Sequence, residues 1–199
     1  MKNKNFKVGL IVGRFQPFHK GHEYLVNLAS SLCETIVVAI TSAQASGTPD
    51  NPLEYKFREE LILTACKDIC NKNKTKIIVM GLNDMIPPKN NTALLGDYIL
   101  ASVKANLLYN GIENDVDVIF YGNEPKRKEW YSDDKSEYIS EFLVSKDKFP
   151  FRGRFIRNMI LDYGEEIILN DKKFLPEVYS SEQRLKICKS VKLANIKGN

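Results

Sequence analysis

The chain has two histidines, His19 and His22, which lie three residues apart in the stretch GRFQPFHKGH. This stretch connects an apolar run, KVGLIVG, to a segment with helical periodicity, and Gly13 permits a tight turn between them. Imidazoles at a helix N-terminus, where the dipole is positive, are suited to holding phosphate oxygens. The spacing therefore favours a phosphate-handling site, to which Arg14 and Lys20 add positive charge.

Two other interpretations of the histidines stay open on the residues alone. The pair could bind a metal, although the chain has no third histidine and two ligands hold a metal weakly. The pair could also be incidental, but this leaves Gly13, Gly21, Pro17 and the position at a strand end unexplained. A Walker-type phosphate loop and a G-x-G-x-x-G dinucleotide motif are both absent from the sequence.

Strand and helix patterns alternate along the chain around this motif. Four short apolar runs predict strands, at KVGLIVG, TIVVAIT, KIIVMGL and DVDVIFYGN. Helical periodicity predicts helices over about 21–32, 53–70 and 93–108. This alternation is typical of an α/β fold, a parallel sheet with helices on both faces, whose ligands bind beyond the carboxyl ends of the strands. Residues that follow strand ends are therefore expected at one rim. These are Gly13–Arg14, Ser42–Ala43, Asn83–Asp84 and Gly122–Asn123.

The remaining sequence predicts less regular structure. Residues 124–150 are polar and charged, and we interpret them as a long loop that contains a little structure. A C-terminal helical segment is expected from about residue 155, including the stretch LPEVYSSEQRLKICKSVKLA. Since a length of 199 residues suits one hydrophobic core, we expect a single domain over residues 1–199.

The composition is that of an ordinary globular protein, with 43% hydrophobic and 27% charged residues. The formal net charge of +4 suits a phosphate-rich substrate but falls short of the dense basic patch of a nucleic-acid-binding protein. No apolar run approaches the roughly 20 residues of a membrane span. The cysteines form no C-x-x-C pair, and Cys66 and Cys70 have the spacing of buried helix positions. We therefore expect a cytoplasmic protein that binds neither nucleic acid nor membranes.

Several sequence blocks resemble one enzyme family. GRFQPFHKGH resembles the H-x-G-H signature of the nucleotidyltransferase superfamily. In detail it is similar to the archaeal-type nicotinamide-mononucleotide (NMN) adenylyltransferases, whose signature reads G-R-[FM]-Q-P-F-H-x-G-H. TSAQASGTPDNPLEYKFREELI is similar to the family's G-S-A-Q…N-P-F…E-R…M-I stretch, and GLND and YGN are similar to two further family segments. Together these blocks span residues 8 to about 165.

The resemblance implies a Rossmann-like α/β fold and a reaction in which the 5′-phosphate of NMN attacks the α-phosphorus of ATP in line. NAD and pyrophosphate would form without a covalent enzyme intermediate, and Mg²⁺ would bridge the triphosphate without protein side-chain ligands. Because members of the family are commonly oligomeric, a homo-oligomer is expected. Two alternatives are a nucleotidyltransferase for another phosphorylated acceptor and a non-catalytic nucleotide-binding sensor of the same fold.

Candidate site residues follow from the motif and the resemblance together. The catalytic residues would be His19, His22 and Arg157. The residues at ATP and its phosphates would be Gly13, Arg14, Phe15, Gln16, Lys20, Gly21, Arg154 and Ile156. The residues at the acceptor nucleotide would be Ser42, Asn51, Arg58, Asp84, Asn123 and Trp130.

One departure from the family concerns its late signature, S-G-T-x-[IV]-R, which reads RGRFIR in this chain. Gly153, Ile156 and Arg157 match, whereas Arg152 and Arg154 replace the two hydroxyl residues. Guanidinium groups also bind phosphate, with full charge. The stretch is therefore still expected to begin a helix at an anion site.

A second departure concerns the segment after Asn83 and Asp84. Members of the family usually carry a tryptophan there, suited to stacking on the nicotinamide ring, whereas this chain has MIPPKNNTALLGDY. Its one tryptophan is Trp130. Trp130 or Tyr98 is therefore expected to supply the ring, unless the acceptor is not NMN.

Overall fold

The computed structural model describes residues 4–86, 93–122, 130–132, 137–145 and 152–198. These residues form a sheet of five parallel strands in the order β3-β2-β1-β4-β5. The strands are β1 (Phe6–Gly13), β2 (Cys33–Ile40), β3 (Lys76–Gly81), β4 (Val118–Gly122) and β5 (Ser140–Val144). The helices are α1 (Lys20–Leu32), α2 (Tyr55–Asn73), α3 (Ala93–Tyr109), α4 (Gly153–Tyr163), α5 (Glu166–Leu169) and α6 (Ser181–Gly198).

β1 lies in the middle of the sheet and pairs with a strand on each side. Gly9 is aligned with Ile36 of β2 on one side and with Val118 of β4 on the other. After β3 the chain crosses to the opposite side of β1, so the strand order reverses between β1 and β4. In open parallel sheets the ligand crevice lies at this reversal, beyond the carboxyl ends of the strands. The loop that carries both histidines begins at this point.

Helices cover both faces of the sheet, as predicted. On one face, strand residues such as Ile11, Ile36 and Phe120 pack against α1, α2, α4, α5 and α6. On the other face, Leu10 and Val37 pack against α3. The central strands are therefore buried on both sides, which explains why their sequences are apolar runs without polar alternation.

The four predicted strands are confirmed, with ends that differ from the prediction by a few residues. The little structure expected within residues 124–150 includes a strand that the sequence did not locate, because Ser140–Val144 forms β5 at the edge of the sheet. An edge strand is half-exposed and polar on one side, so it lacks the apolar run that marks a central strand. Phe142 of β5 stacks on Phe120 of β4, with ring centroids 5.2 Å apart.

The cysteines are buried as free thiols. Burial raises the pKa of each thiol, that of Cys33 to about 12, so they act as small apolar side chains. Among the helices that the structure describes, none is long and apolar enough to cross a membrane.

Candidate active site

The loop between β1 and α1 is held against the segment that precedes α2. The Gln16 side chain is 4% exposed. It donates to the Leu53 carbonyl and accepts from the Leu53 N–H, each at 2.9 Å. Its neighbour Phe15 has a φ of 52°, in the left-handed region that residues other than glycine rarely adopt. The two bonds of Gln16 therefore help to maintain an unfavourable backbone turn just before the histidines.

The two imidazoles form the N-terminal cap of α1 and stack on each other. Nδ1 of His19 accepts from the Gly21 N–H at 3.1 Å, and Nδ1 of His22 accepts from the His19 N–H at 3.3 Å. The ring centroids are 3.8 Å apart, and His22 also contacts the rings of Phe15 and Phe18. Since each Nδ1 is an acceptor, each ring in its neutral form carries its proton on Nε2.

Burial decides the charge of His19. The residue is 6% exposed, and desolvation lowers its pKa from 6.5 to about 4. At neutral pH His19 is therefore an uncharged donor through Nε2–H. His19 thus offers a hydrogen-bond donor to an anion without a positive charge of its own, and the neighbouring arginines add positive charge.

The N–H groups at the start of α1 are already bonded within the chain. The Lys20 N–H donates to the Phe174 carbonyl at 2.9 Å, and the His22 N–H donates to the His19 carbonyl at 2.8 Å. The Gly21 N–H donates to His19 Nδ1. These N–H groups are therefore engaged by the cap and by Phe174, although the first N–H groups of a helix have no partner within the helix itself. An anion here would meet the imidazoles, with the helix dipole behind them.

α4 docks its first turn on the loop that leads to the histidines. A Cβ built on Gly153 would lie 2.6 Å from the Gln16 carbonyl oxygen, so no side chain fits at this position. Arg157, one turn further on, donates from Nη1 to the same oxygen at 2.8 Å and is 6% exposed. The RGRFIR stretch is thereby brought next to the histidines from a distant part of the sequence. We call His19, His22 and Arg157 the histidine end of the site.

The Asp50 carboxylate bridges two arginines beside the histidine end. Its Oδ1 is 3.2 Å from Nη2 of Arg157 and 3.4 Å from Nη2 of Arg154. Burial lowers the pKa of Arg157, and Asp50 opposes this shift. Arg152, the N-cap residue of α4, makes no side-chain capping bond. The arginines of RGRFIR therefore gather at this end of the site, as a phosphate-binding role requires.

The position of Arg58 differs from the one predicted for it at the acceptor nucleotide. It is 0% exposed and lies outside the cavity lining described below. Its guanidinium donates to the main-chain carbonyls of Arg14, Thr41 and Ser42. Because the side chain is enclosed and both of its Nη groups donate to backbone, it acts on the site through those backbone segments and not by touching a ligand.

Polar side chains after β2 and β3 bond to each other. Ser42 Oγ donates to Asp84 Oδ1 at 2.8 Å, and Gln44 Nε2 donates to Asp84 Oδ2 at 3.0 Å. The Asp84 N–H donates back to Gln44 Oε1 at 3.1 Å. Each carboxylate oxygen keeps capacity for a further hydrogen bond, because an ionised carboxylate accepts at about four positions. We call Ser42, Gln44 and Asp84 the aspartate end of the site.

One cavity of about 940 Å³ joins the two ends, beyond the carboxyl ends of all five strands. This volume falls in the range of about 300–1,000 Å³ that is usual for small-molecule sites. The convergence of strand ends that the sequence predicts is confirmed. The predicted site residues that line the cavity are Gly13, Arg14, Phe15, Gln16, His19, Gly21, His22, Ser42, Asp84, Trp130, Arg154 and Arg157.

Trp130 and Tyr98 line the same cavity, together with Leu95 and Ile99 of α3. A Cβ built on Gly96 would lie 2.1 Å from the Trp130 carbonyl oxygen. Gly96 therefore allows α3 to approach the Trp130 backbone closely. A glycine in the middle of an apolar helix pattern is the sequence signal that could have located this contact.

Three further predicted residues lie elsewhere, and one cannot be placed. The Lys20 ammonium binds the Glu177 carboxylate at 2.8 Å. Ile156 of α4 is 0% exposed and faces the core, so it supports the arginines of that helix and does not contact a ligand. Asn51 is half-buried before α2 and does not line the cavity. Asn123 lies outside the described residues.

Comparisons with known proteins agree with this picture of the N-terminal half. A family model described as cytidylyltransferase-like matches residues 10–93. The chain is 31% identical over 117 residues to the nicotinamide-nucleotide adenylyltransferase of Thermococcus kodakarensis, covering 59% of this chain and 54% of that protein. It is 44% identical over 62 residues to the enzyme of that name from Thermoplasma acidophilum, covering 31% and 35%. The chain thus spans about half the length, or less, of the curated relatives it matches.

Solved structures agree with the fold over nearly the whole chain. A bifunctional NMN adenylyltransferase/ADP ribose pyrophosphatase from Francisella tularensis aligns with a TM-score of 0.69 at 15% identity, covering 96% of this chain and 53% of that chain. The Plasmodium falciparum nicotinic acid mononucleotide adenylyltransferase aligns with a TM-score of 0.54 at 13% identity, covering 95% and 97%. The predicted Rossmann-like α/β fold is confirmed, and the archaeal relatives confirm the sequence resemblance.

Proposed function

From this similarity to nicotinamide-nucleotide adenylyltransferases, we propose that the protein transfers AMP from ATP to NMN and so forms NAD and pyrophosphate. The observation that carries the proposal is the distribution of groups in one cavity. His19, His22 and Arg157 line one end, whereas Asp84 and Trp130 line another part. A donor-rich, cationic end suits a triphosphate, and an aromatic and carboxylate wall suits a nucleotide acceptor.

The proposed reaction is a direct displacement at phosphorus. An oxygen of the NMN 5′-phosphate forms a bond to the α-phosphorus of ATP, and the bond from that phosphorus to the pyrophosphate oxygen breaks. The ionised phosphate needs no general base, and no covalent enzyme intermediate forms. The protein therefore contributes position and charge stabilisation.

The histidine end stabilises the charge that moves onto the pyrophosphate. His19 and His22 present Nε2–H donors, and Arg157 and Arg154 add full positive charge. Since His19 and Arg157 are held by backbone partners before any ligand binds, little reorganisation is needed as the charge shifts. This is the arrangement that lowers a barrier more than it tightens ground-state binding.

The divalent cation enters with ATP as part of the substrate and neutralises charge on the phosphates. Within the described residues, no group of three or more His, Cys, Asp and Glu side chains is arranged to hold a metal ion. One structural neighbour, from Francisella tularensis, was solved with AMP and a manganese ion. Mg²⁺ or another divalent cation bound through the triphosphate is therefore part of the proposal.

The aspartate end holds the acceptor. Ser42 and Gln44 fix the Asp84 carboxylate, which keeps capacity to accept hydrogen bonds from hydroxyl or amide groups of a nucleotide. Trp130 or Tyr98 offers a ring face to the acceptor base. Trp130 comes from a segment other than the one that follows Asp84, and Tyr98 lies at the far end of that segment, on α3. A different phosphorylated acceptor is therefore the second candidate function.

The experiment is to incubate the protein with ATP and Mg²⁺ and, separately, with NMN, nicotinate mononucleotide, phosphopantetheine or glycerol 3-phosphate. Pyrophosphate release and dinucleotide formation are measured. NAD formation from NMN is the expected result. Turnover with another acceptor would support the second candidate, and ATP binding without any turnover would support a non-catalytic sensor.

The homo-oligomer and the cytoplasmic location stay predictions. Light scattering during size-exclusion chromatography checks the first, and fractionation of cells that express the chain checks the second. A mass of one chain, 22.7 kDa, would contradict the homo-oligomer.

A further inference from the structure

Arg58 joins the backbone segments that lead to the two ends of the site. It lies on α2 and is 0% exposed. Nη1 donates to the carbonyls of Arg14 and Thr41, each at 3.0 Å, and Nη2 donates to the carbonyl of Ser42 at 2.9 Å. Arg14 follows β1, whereas Thr41 and Ser42 follow β2. A single side chain therefore binds the chain at the points where it leaves two neighbouring strands.

The carbonyls lie beside unfavourable backbone conformations. Phe15, which follows Arg14, and Ser42 both have a φ of 52°. Residues other than glycine rarely adopt this left-handed region, and they persist there when the surroundings hold them. The register between β1 and β2 ends at Gly13 and Ile40, so both turns lie beyond the sheet itself. Beyond the end of the paired strands, the hydrogen bonds from Arg58 help to hold both turns.

The two turns lead to the two ends of the site. The turn after β1 leads to Gln16, whose carbonyl binds Arg157, and then to His19. The turn after β2 carries Ser42, whose hydroxyl donates to Asp84. In-line transfer needs reacting atoms about 3–3.5 Å apart, and a misplacement of about 1 Å can cost 100-fold in rate. The distance between the turns therefore bears directly on catalysis.

We propose that Arg58 is a positioning residue that sets the distance between the histidine end and the aspartate end without touching either nucleotide. This inference rests on the proposed function, because it assigns Arg58 an effect on the rate of that reaction. A guanidinium suits the role, since its planar fork directs several donors along fixed lines, whereas an ammonium is a point charge on a flexible stem. Enclosing a charge is also costly, and an apolar side chain would fill the same space without that cost.

Arg58→Lys tests the inference, with Arg184→Lys as the matched control. Arg184 is 5% exposed and donates to the carbonyls of Ile168, Asp171, Pro176 and Tyr179, none of which lines the cavity. Both exchanges replace a buried fork by an ammonium, so both are expected to lower the midpoint of urea unfolding. Only Arg58→Lys is expected to lower kcat, by about 100-fold.

The KM values separate positioning from binding. For Arg58→Lys, the KM values for ATP and for the acceptor are expected to stay within about threefold of the wild type. A kcat that also stays within about threefold, with the variant folded, would overturn the inference. KM increases that account for the whole fall in kcat/KM would overturn it as well, because they would place the effect in binding.

A second variant covers the case in which Arg58→Lys does not fold. Arg58→Gln keeps a planar amide donor and removes the buried charge, and it is measured in the same way. If neither variant folds while Arg184→Lys does, Arg58 serves folding alone and the inference is wrong. Failure of the proposed function is a separate result, because the wild type would then form no dinucleotide from NMN.

Discussion

The two ends of the site are held by different kinds of partner. At the histidine end most partners are backbone groups: the Gly21 N–H binds His19, the His19 N–H binds His22, and Arg157 binds a main-chain carbonyl in addition to the Asp50 side chain. His19 and Arg157 are each 6% exposed. At the aspartate end, side chains from two loops bond to one another, and Asp84 is exposed to the cavity.

This difference indicates that the two ends of the site have separate roles. A backbone partner is fixed by the fold and stays in place when neighbouring side chains change. A side-chain partner is lost with a single substitution. We therefore expect the histidine end to set the rate of the reaction and the aspartate end to set which acceptor is used.

The largest expected effect is that of His22→Ala at the histidine end. Removal of a preorganised donor is expected to lower kcat by about 100- to 1,000-fold, because that donor meets charge that develops in the transition state. The dissociation constant for ATP, measured by calorimetry, should change by less than about fivefold. Lys56→Ala is the control, since the Lys56 side chain is 79% exposed and outside the cavity. If ATP binding and kcat/KM fell by the same factor, this would contradict a role of His22 in stabilising the transition state.

The next effect is a pH dependence of stability from His19. Its pKa is lowered by burial from 6.5 to about 4, so the unfolded chain binds the proton more readily than the folded protein does. The stabilising contribution is complete above the unfolded pKa of 6.5 and is lost as the pH falls towards the folded value.

Urea unfolding of the wild type and of His19→Asn, which keeps an N-cap acceptor, checks this expectation. Between about pH 7.5 and about pH 5, the wild type is expected to lose about 2 kcal/mol more of its free energy of unfolding than the variant. Parallel losses in the two proteins would show that His19 is not held neutral by burial.

A smaller effect is expected at the aspartate end from Asp84→Asn. The Asp84 carboxylate repels the negative charge of a nicotinate ring more than it disfavours a neutral amide. The variant is expected to raise kcat/KM for nicotinate mononucleotide relative to NMN by about fivefold, since exposed charges are partly screened. Asp115→Asn is the control, because the Asp115 side chain is 77% exposed and outside the cavity. If the ratio of kcat/KM values for the two acceptors stays unchanged while kcat falls, Asp84 contributes to the rate and not to the choice of acceptor. That result would contradict the separate roles of the two ends.

The smallest effect is expected from Asp50→Asn. Asp50 competes with phosphates for Arg157 and Arg154, so its neutralisation is expected to tighten pyrophosphate binding by about two- to threefold, less so at high salt. Glu34→Gln is the matched control, because the Asp50 and Glu34 side chains are 58% and 50% exposed and Glu34 pairs with Lys7 away from the cavity. Weaker binding in Asp50→Asn would show instead that Asp50 holds the arginines in place.

Sequence reasoning succeeds where the signal is local. The spacing of His19 and His22 predicts the strand–loop–helix unit that carries them. The reason is that the groups which cap a helix N-terminus lie within a few residues of each other in the sequence. The same reasoning misses β5, since an edge strand has no continuous apolar run. It also misplaces Arg58, because an arginine within a matching block gives no indication of whether its guanidinium faces a ligand or the backbone.

The sequence by itself determined the alternation of strands and helices, the rim at the strand ends and the two histidines at that rim, since these follow from periodicity and turn chemistry along a short stretch of chain. The tertiary structure alone decided that Gly153 lets α4 dock on Gln16, that Arg157 and Asp50 meet there, that Trp130 lies against Gly96, and that Arg58 binds backbone. The reason is physical. Contacts between distant segments depend on how whole elements pack, and burial then decides whether a charged or polar side chain faces a ligand or the protein itself.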